Sequence, residues 1–482
     1  MSGFKKAVFQ GIAWRSSVDI GQQVLLIAFT AVLARILTKA DFGLVAMALL
    51  FIRLAQTLTK IGFGTAIIQS QEVSERQISA VFVIQVAINL LASVLAFIGA
   101  PLAARFFHQD ALVPIIRVLG WSLFINSLAF PQIILRKRLR FAGYSFVELA
   151  TNLAGQVLGV IMALQGFGVW SLVWRTMSTQ AIFCIAVWPL ARWFPVRPSF
   201  KGMRKIFRFG MNMLGSSLSY YFSQNLAAII TGKFLGVEIL GAFNIAYNLA
   251  IVPAQKVQGV LTTVLHPAFS KIQSDIRDFR EKLYASLFGL GILFVPFMMG
   301  LSAVGINFVP LVYGEKWKEA GFYLTFLSFI GLSKGFEHLL RSAILAKGDA
   351  SFIFKITLAE TLIGLPLLFL GSYIYKAIGV IIAYMIASFF AFALTLNSAQ
   401  GIVQDRSIFW RAVHQSFLAA SVMFLVVFGF AWLSPFNRIL TLGIQIALGV
   451  IVYFAMRIKF LTRQEKLLVS QFPLAHLVFR TI

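Results

Sequence analysis

Val81-Phe82-Val83-Ile84-Gln85-Val86-Ala87-Ile88-Asn89-Leu90-Leu91-Ala92-Ser93-Val94-Leu95-Ala96-Phe97-Ile98-Gly99-Ala100 contains no ionisable side chain. An α-helix needs about 20 apolar residues to cross the hydrocarbon layer of a bilayer. A strand of a membrane β-barrel would be about ten residues long and would alternate in character. This stretch is continuous, as is Ser416–Leu433, so the spans are helices. The whole chain reads the same way: mean hydropathy is +0.85 and only 12% of its residues are charged. Apolar runs broken by Gly, Pro and charge give about 14 spans. They centre near Val24, Leu50, Ala87, Phe124, Leu158, Ile182, Ser219, Ala250, Phe294, Phe329, Pro366, Ala387, Phe424 and Ile446. The first run continues from Gly11 to Leu37, too long for the apolar core of a signal peptide, and reads as a retained span.

The loops are too short to hold a soluble domain, and no phosphate-binding GxxxxGK[ST] motif is present. Cys184 is the single cysteine, which excludes an internal disulfide. The extracytoplasmic loops around Arg105–Pro114 and Pro310–Glu319 are short for the catalytic loop of a membrane polymerase or ligase, so no enzyme is expected.

Despite its apolar character the chain carries a net charge of +25, from 42 Lys and Arg against 17 Asp and Glu. With the N-terminus in the cytoplasm, about 25 of the basic residues fall in cytoplasmic segments and about 7 in the opposite loops. The densest groups are Arg136, Lys137, Arg138 and Arg140, and then Arg192 through Arg208. Such clusters also suit nucleic acid or lipid head groups, but here they work as topology signals, with both termini cytoplasmic and no nucleic acid expected.

The chain also matches itself. Arg35-Ile36-Leu37 followed by Gly43 pairs with Lys233-Phe234-Leu235 followed by Gly241, 198 residues on. Phe107 pairs with Tyr313 and Ser145-Phe146 with Ser351-Phe352, 206 on, and Gly168-Val169 with Gly379-Val380, 211 on. The order is kept while the offset grows. Two halves with an even number of spans have the same orientation, a parallel repeat. The expected organisation is an N-lobe over 1–191, a cytoplasmic connector over 192–206 acting as the hinge region, and a C-lobe over 207–400. Two appended spans and a tail follow over 401–482. The expected fold is all-α and integral to the membrane, with two six-helix lobes around a central cavity.

Ten basic residues remain in or near the spans: Arg15, Arg35, Arg53, Lys60, Arg117, Arg175, Lys256, Lys334, Arg341 and Lys355. Four acids accompany them: Asp19, Glu148, Glu337 and Glu360. Arg35, Lys60 and Arg117 lie near span ends and suit snorkelling. A charge at mid-span must face protein or water, because exposure to lipid costs several kcal/mol. The spacings are helical: Arg15, Asp19 and Gln22; Gln85, Asn89 and Ser93; Glu148, Asn152 and Gln156; Lys334, Glu337, His338 and Arg341. Asn212, Tyr220 and Gln224 belong to the seventh span. Polar stripes of this kind either line a water-filled cavity or hold helices together by hydrogen bonds. Cationic drugs or metal ions would call for carboxylates along the pathway. An excess of Arg and Lys suits an anion, phosphate above all. Arg15, Arg53, Arg175, Lys334, Arg341 and Lys355 are the candidate ligands of that anion, with Arg15 and Lys334 expected on its phosphates. Asp19, Glu337 and His338 are the candidates for coupling to a proton or sodium ion. No metal site and no organic cofactor are expected.

Leu135-Arg136-Lys137-Arg138-Leu139-Arg140-Phe141, Gly166-Phe167-Gly168-Val169-Trp170-Ser171-Leu172-Val173 and Tyr313-Gly314-Glu315-Lys316-Trp317 resemble Wzx-type polysaccharide exporters, in particular the colanic-acid-exporter branch. Leu33-Ala34-Arg35-Ile36-Leu37, Phe42-Gly43 and Gly62-Phe63-Gly64 fit the same pattern. The resemblance extends over nearly the whole chain. It implies a 14-helix, two-lobed inner-membrane flippase of the multidrug/oligosaccharidyl-lipid/polysaccharide superfamily. Its cargo would be an undecaprenyl-diphosphate-linked oligosaccharide, moved to the periplasmic leaflet by alternating access. Membrane lipids, and the polymerase and glycosyltransferases of the same pathway, are the implied partners. A cation-coupled multidrug exporter of the same fold is the alternative, which Asp19 keeps open.

Overall fold

The structure is a computed structural model that describes residues 21–59, 67, 74–138, 141–200, 204–260, 265–434 and 436–459. Among the described residues every regular element is helical. The first unit of the fold, Met1–Ala242, contains α1 (Gly21–Ile36), α2 (Lys39–Thr59), α3 (Glu75–Phe107), α4 (Leu112–Leu128), α5 (Pro131–Lys137), α6 (Phe141–Leu164), α7 (Val169–Ala191) and α8 (Arg204–Ile230). It also holds the first residues of α9 (Val237–Val260). The second unit, Phe243–Ile482, takes the rest of α9. It continues with α10 (His266–Lys271), α11 (Ile276–Tyr313), α12 (Lys318–Ala346), α13 (Ala350–Val403), α14 (Ile408–Leu433) and α15 (Arg438–Lys459).

Every predicted span centre lies in one of these helices, and α13 carries two of them, Pro366 and Ala387. Eight of the described helices are long and apolar enough to cross a membrane; Gly21–Ile36 and Leu112–Leu128 are shorter apolar helices. Their starts are written locally. Ser74 caps α3: its hydroxyl accepts from the Gln77 N–H, and the Gln77 side chain accepts from the Ser74 N–H at 3.0 Å. Asp275 accepts from the N–H groups of Arg277 and Asp278 at the head of α11, and Asp349 from that of Phe352 in α13.

α13 is a helical hairpin. At its middle Tyr375 (φ −121°, ψ 17°) and Lys376 (φ 52°, ψ −130°) leave the helical region. Gly371 and Gly379 would stand about 12 Å apart on a straight helix. Instead their backbones touch, and a Cβ on either would strike the other's carbonyl. Gly168, between α6 and α7, has almost the same backbone angles as Lys376, φ 53° and ψ −130°. The repeat is therefore visible in the backbone, with Lys376 and not Gly379 in the place of Gly168. Two other turns agree with it. α3 ends at Phe107 before His108 (φ 56°), and α11 ends at Tyr313 before Gly314 (φ 103°). α7 ends before Arg192 (φ 45°), and α13 before Gln404 (φ 53°). A lysine pays about 1 kcal/mol or more for positive φ where glycine does not. Lys376→Gly is expected to raise the thermal unfolding temperature in detergent, and a fall would show that the turn is unstrained.

Part of the expected hinge is fastened down. Trp193 Nε1 donates to Glu75 Oε2 at 2.8 Å, the Val196 N–H to Ser79 Oγ at 3.0 Å and the Ser199 N–H to the Arg76 carbonyl at 3.0 Å. Residues 192–200 are thus strapped to the start of α3, because an exposed connector satisfies its backbone donors on the nearest helix end. Residues 201–203 lie outside the described residues.

Helices in a bilayer associate through close packing and hydrogen bonds, since lipid is as apolar as they are. Ser93 Oγ donates to the Gly120 carbonyl (2.9 Å) and accepts from the Phe124 N–H (3.1 Å), tying α3 to α4. Ser302 Oγ donates to the Thr325 carbonyl at 2.7 Å and ties α11 to α12 in the same way. Where α2 meets the start of α9, a Cβ on Gly43 would strike the Val237 carbonyl, and a Cβ on Gly241 would strike the Lys39 carbonyl. Lys39 and Val237 stand 198 residues apart, as Gly43 and Gly241 do, so the contact is reciprocal. Outside the spans, burial opposes charge on Asp405. Hydrogen bonds from the Ser407 hydroxyl and N–H, and the cationic Arg411, outweigh it and hold the carboxyl below its usual range.

Candidate functional site

The spacing of Lys334, Glu337 and Arg341 puts them on one side of α12, and the structure brings them together with two residues of α13. Lys334 Nζ lies 3.0 Å from Glu337 Oε2 and 2.5 Å from Glu360 Oε1. Arg341 Nη2 lies 2.5 Å from Glu337 Oε1, and Arg341 Nη1 donates to Thr357 Oγ1 at 2.9 Å. Lys334, Glu337 and Glu360 are 3%, 1% and 3% exposed, and Arg341 is 13% exposed. The burial has a packing cause: Gly331 lets α12 approach Ala250 of α9, and Gly335 leaves room for the Phe294 ring of α11. His338 lies beside the network, half-buried.

Two cations thus face two carboxylates, and their charges balance. In this arrangement Lys334 is enclosed and paired, and Arg341 is largely so. Glu360, counted in the sequence as a span acid without a role, closes the network. Its partner is 26 residues away on another helix, so spacing within one helix gives no sign of it.

Arg53 is different. It sits well inside α2, is exposed, and makes no ion pair among the described residues. It interacts electrostatically with Tyr221 of α8, whose hydroxyl donates to the Leu50 carbonyl at 2.7 Å. Lys355 is likewise exposed, five residues into α13. Arg175 reaches Gln156 Oε1 at 3.5 Å across α6 and α7, over the space left by Gly159.

The neutral stripes behave otherwise. Asn89 donates to the Gln85 carbonyl and Asn152 to the Glu148 carbonyl, each at 2.8 Å and each within its own helix. The side chains of Gln22 and Gln85 each retain a buried polar atom without a hydrogen-bond partner among the described residues. Tyr220 is exposed and Gln224 half-buried on α8. Arg15, Asp19 and the side chain of Asn212 lie outside the described residues. Arg457, near the end of the last apolar run, is part of α15 and 1% exposed. It donates to Gln415 Oε1 and lies 5.3 Å from the Phe288 ring centroid. A charge at the edge of an apolar run reads as tail; only packing shows that it turns inward.

Residues 32–321 match the family described as "Polysaccharide biosynthesis protein". The chain is 28% identical to the lipopolysaccharide biosynthesis protein WzxC of Escherichia coli K12, over 79% of this chain and 78% of that one. It is 26% identical to the teichuronic acid biosynthesis protein TuaB of Bacillus subtilis 168, over 95% and 97%. In fold it is similar to a structure of the lipid II flippase MurJ in an inward closed conformation, with a TM-score of 0.74 at 16% identity over 93% and 98% of the two chains.

Proposed function

The chain belongs to the polysaccharide biosynthesis protein family, and from that membership we propose that it is a flippase that carries a lipid-linked oligosaccharide across the membrane. The relatives act in the synthesis of lipopolysaccharide and teichuronic acid by name, and the fold neighbour is named for flipping lipid II. The finer reading is a bacterial inner-membrane protein with both termini cytoplasmic, moving an undecaprenyl-diphosphate-linked glycan by alternating access. A proton or sodium ion would drive it, and the polymerase and glycosyltransferases of the pathway would supply and consume the cargo.

The observation that carries the chemistry is the contrast between Arg53 and Lys334. A guanidinium within a span that has no ion pair among the described residues, as Arg53 has none, faces water or an anionic partner, because lipid exposure is costly. A guanidinium also binds phosphate oxygens in a bidentate fork. Arg53 is therefore the residue assigned to the cargo's diphosphate, in the part of the pathway lined by α2 and α8. A multidrug exporter for cations would place a carboxylate there.

Deletion of the gene is expected to leave the lipid-linked intermediate on the cytoplasmic leaflet. Restoring Arg53→Ala at matched abundance should lower surface polysaccharide by about tenfold or more, the loss of one charge-assisted contact. Arg53→Lys should recover part of it. Export by Arg53→Ala equal to that of the unaltered protein would remove Arg53 from the cargo site. Intermediates on the periplasmic leaflet of the deletion strain would remove the flippase reading.

A further inference from the structure

The connector between α7 and α8 is held in place by what lies beneath it. Its three hydrogen bonds to the start of α3, at Glu75, Arg76 and Ser79, fix it from Trp193 to Ser199. Trp193 is 4% exposed, with its ring centroid 5.8 Å from that of Phe82 and 5.4 Å from that of Phe130. The other large apolar side chains stay outside: Phe194, Val196 and Phe200 are 71%, 48% and 56% exposed. Four exposed arginines accompany them. Arg192 and Arg197 belong to the connector, the Arg76 carbonyl accepts from its Ser199 N–H, and Arg138 Nη1 donates to the Ala191 carbonyl at 3.2 Å. None of the four makes an ion pair among the described residues. Glu75, the carboxylate beside them, accepts from Trp193.

We propose that residues 192–200, with the Arg76 and Arg138 side chains, form a docking surface for the acidic head groups of a bilayer leaflet. Its position supports this. The connector is pinned to the start of α3, a helix long and apolar enough to cross a membrane, and so stands at the level of the head groups. Its chemistry supports it too. Exposed apolar side chains among basic ones bind an interface by entering the boundary of the acyl chains while the cations meet anionic lipid. A guanidinium takes phosphate oxygens in a bidentate fork. A water-soluble anion would use the arginines and leave Phe194, Val196 and Phe200 in water, whereas an acidic lipid satisfies both. Setting the topology requires only that Lys and Arg stay on one side of the membrane. It calls for neither exposed phenylalanines nor a connector fastened at three points.

The test uses the full chain purified in a neutral detergent and follows thermal unfolding as lipid is added to the micelles. Phosphatidylglycerol is expected to raise the unfolding temperature along a saturable curve, by about 2–4 °C at ten times the midpoint concentration, and phosphatidylcholine to leave it nearly unchanged. Arg192→Gln combined with Arg197→Gln should move the midpoint to about tenfold more phosphatidylglycerol. Lys318→Gln with Arg406→Gln removes two exposed basic residues of the second unit and should leave the midpoint where it is. Phe194→Ser with Phe200→Ser should raise the midpoint as well, and inorganic phosphate should give no response. The proposal is overturned if the two lipids act alike on the unaltered protein, if the arginine variant keeps the original midpoint, or if inorganic phosphate stabilises as phosphatidylglycerol does. Should the arginine variant fail to accumulate, the phenylalanine variant decides: an unchanged midpoint overturns the assignment and a raised one upholds it. Because no cargo is present and no flipping is measured, these outcomes do not depend on whether the transport reading holds.

Discussion

Glu337→Ala is expected to destabilise the second unit by about 3–5 kcal/mol, the cost of breaking a buried ion pair from one side. Glu337 is the shared anion of the cluster, 3.0 Å from Lys334 and 2.5 Å from Arg341. Its loss removes the carboxylate that Lys334 and Arg341 share. The cost therefore comes from uncompensated charge rather than from a missing methylene or two of packing. A charge-balanced double variant separates the two causes. Glu337→Gln with Arg341→Met removes one anion and one cation together and should be less destabilised than Glu337→Gln by itself, a coupling visible in a double-mutant cycle. Thermal unfolding in detergent, or resistance to denaturant, provides the measurement. If the double variant loses as much as the sum of the single ones, the residues do not act as a network.

The second large effect belongs to the crossing of α2 and α9. An alanine at Gly43 or Gly241 sets a methyl group against a backbone carbonyl, that of Val237 or Lys39. A carbonyl cannot rotate out of the way as a side chain can, so the helices must part. Each substitution should cost about 1–3 kcal/mol by overpacking. The two should not add. Once the first methyl has separated the helices, the second finds the space already made, and Gly43→Ala with Gly241→Ala should cost clearly less than the sum. Gly429→Ala is the control, since a Cβ there meets nothing within 4 Å. Additive losses, or losses no greater than that of the control, would show that the close approach is not what holds the crossing.

Much of the fold was legible in the sequence because a membrane span is a local property. An apolar run such as Val81–Ala100 needs no partner to be recognised, and every predicted centre lies in a helix. The α12 stripe was legible for a related reason: spacing of three and four residues fixes a common face. What that spacing cannot give is the neighbour of the face. Glu360 lies on α13, and the register between two helices is set by packing. Asn89 and Asn152 show the opposite failure. They share a face with their stripes, but a short amide reaches its own helix carbonyl as readily as a partner. Arg457 shows a third, since the end of an apolar run does not tell whether its last charge turns out or in. The repeat was legible to within a few residues, and only backbone angles placed Lys376 opposite Gly168.

The reciprocal contact between α2 and the start of α9 has one more consequence. Gly43 against Val237 and Gly241 against Lys39 are exchanged by a half-turn about an axis between the two helices. Any movement that respects this axis, whether parting, scissoring or sliding, lengthens or shortens both approaches by the same amount. Along such a movement both glycines leave their carbonyls together. Two weak approaches, each a matter of a missing methyl group, behave as a single catch that is either shut or open.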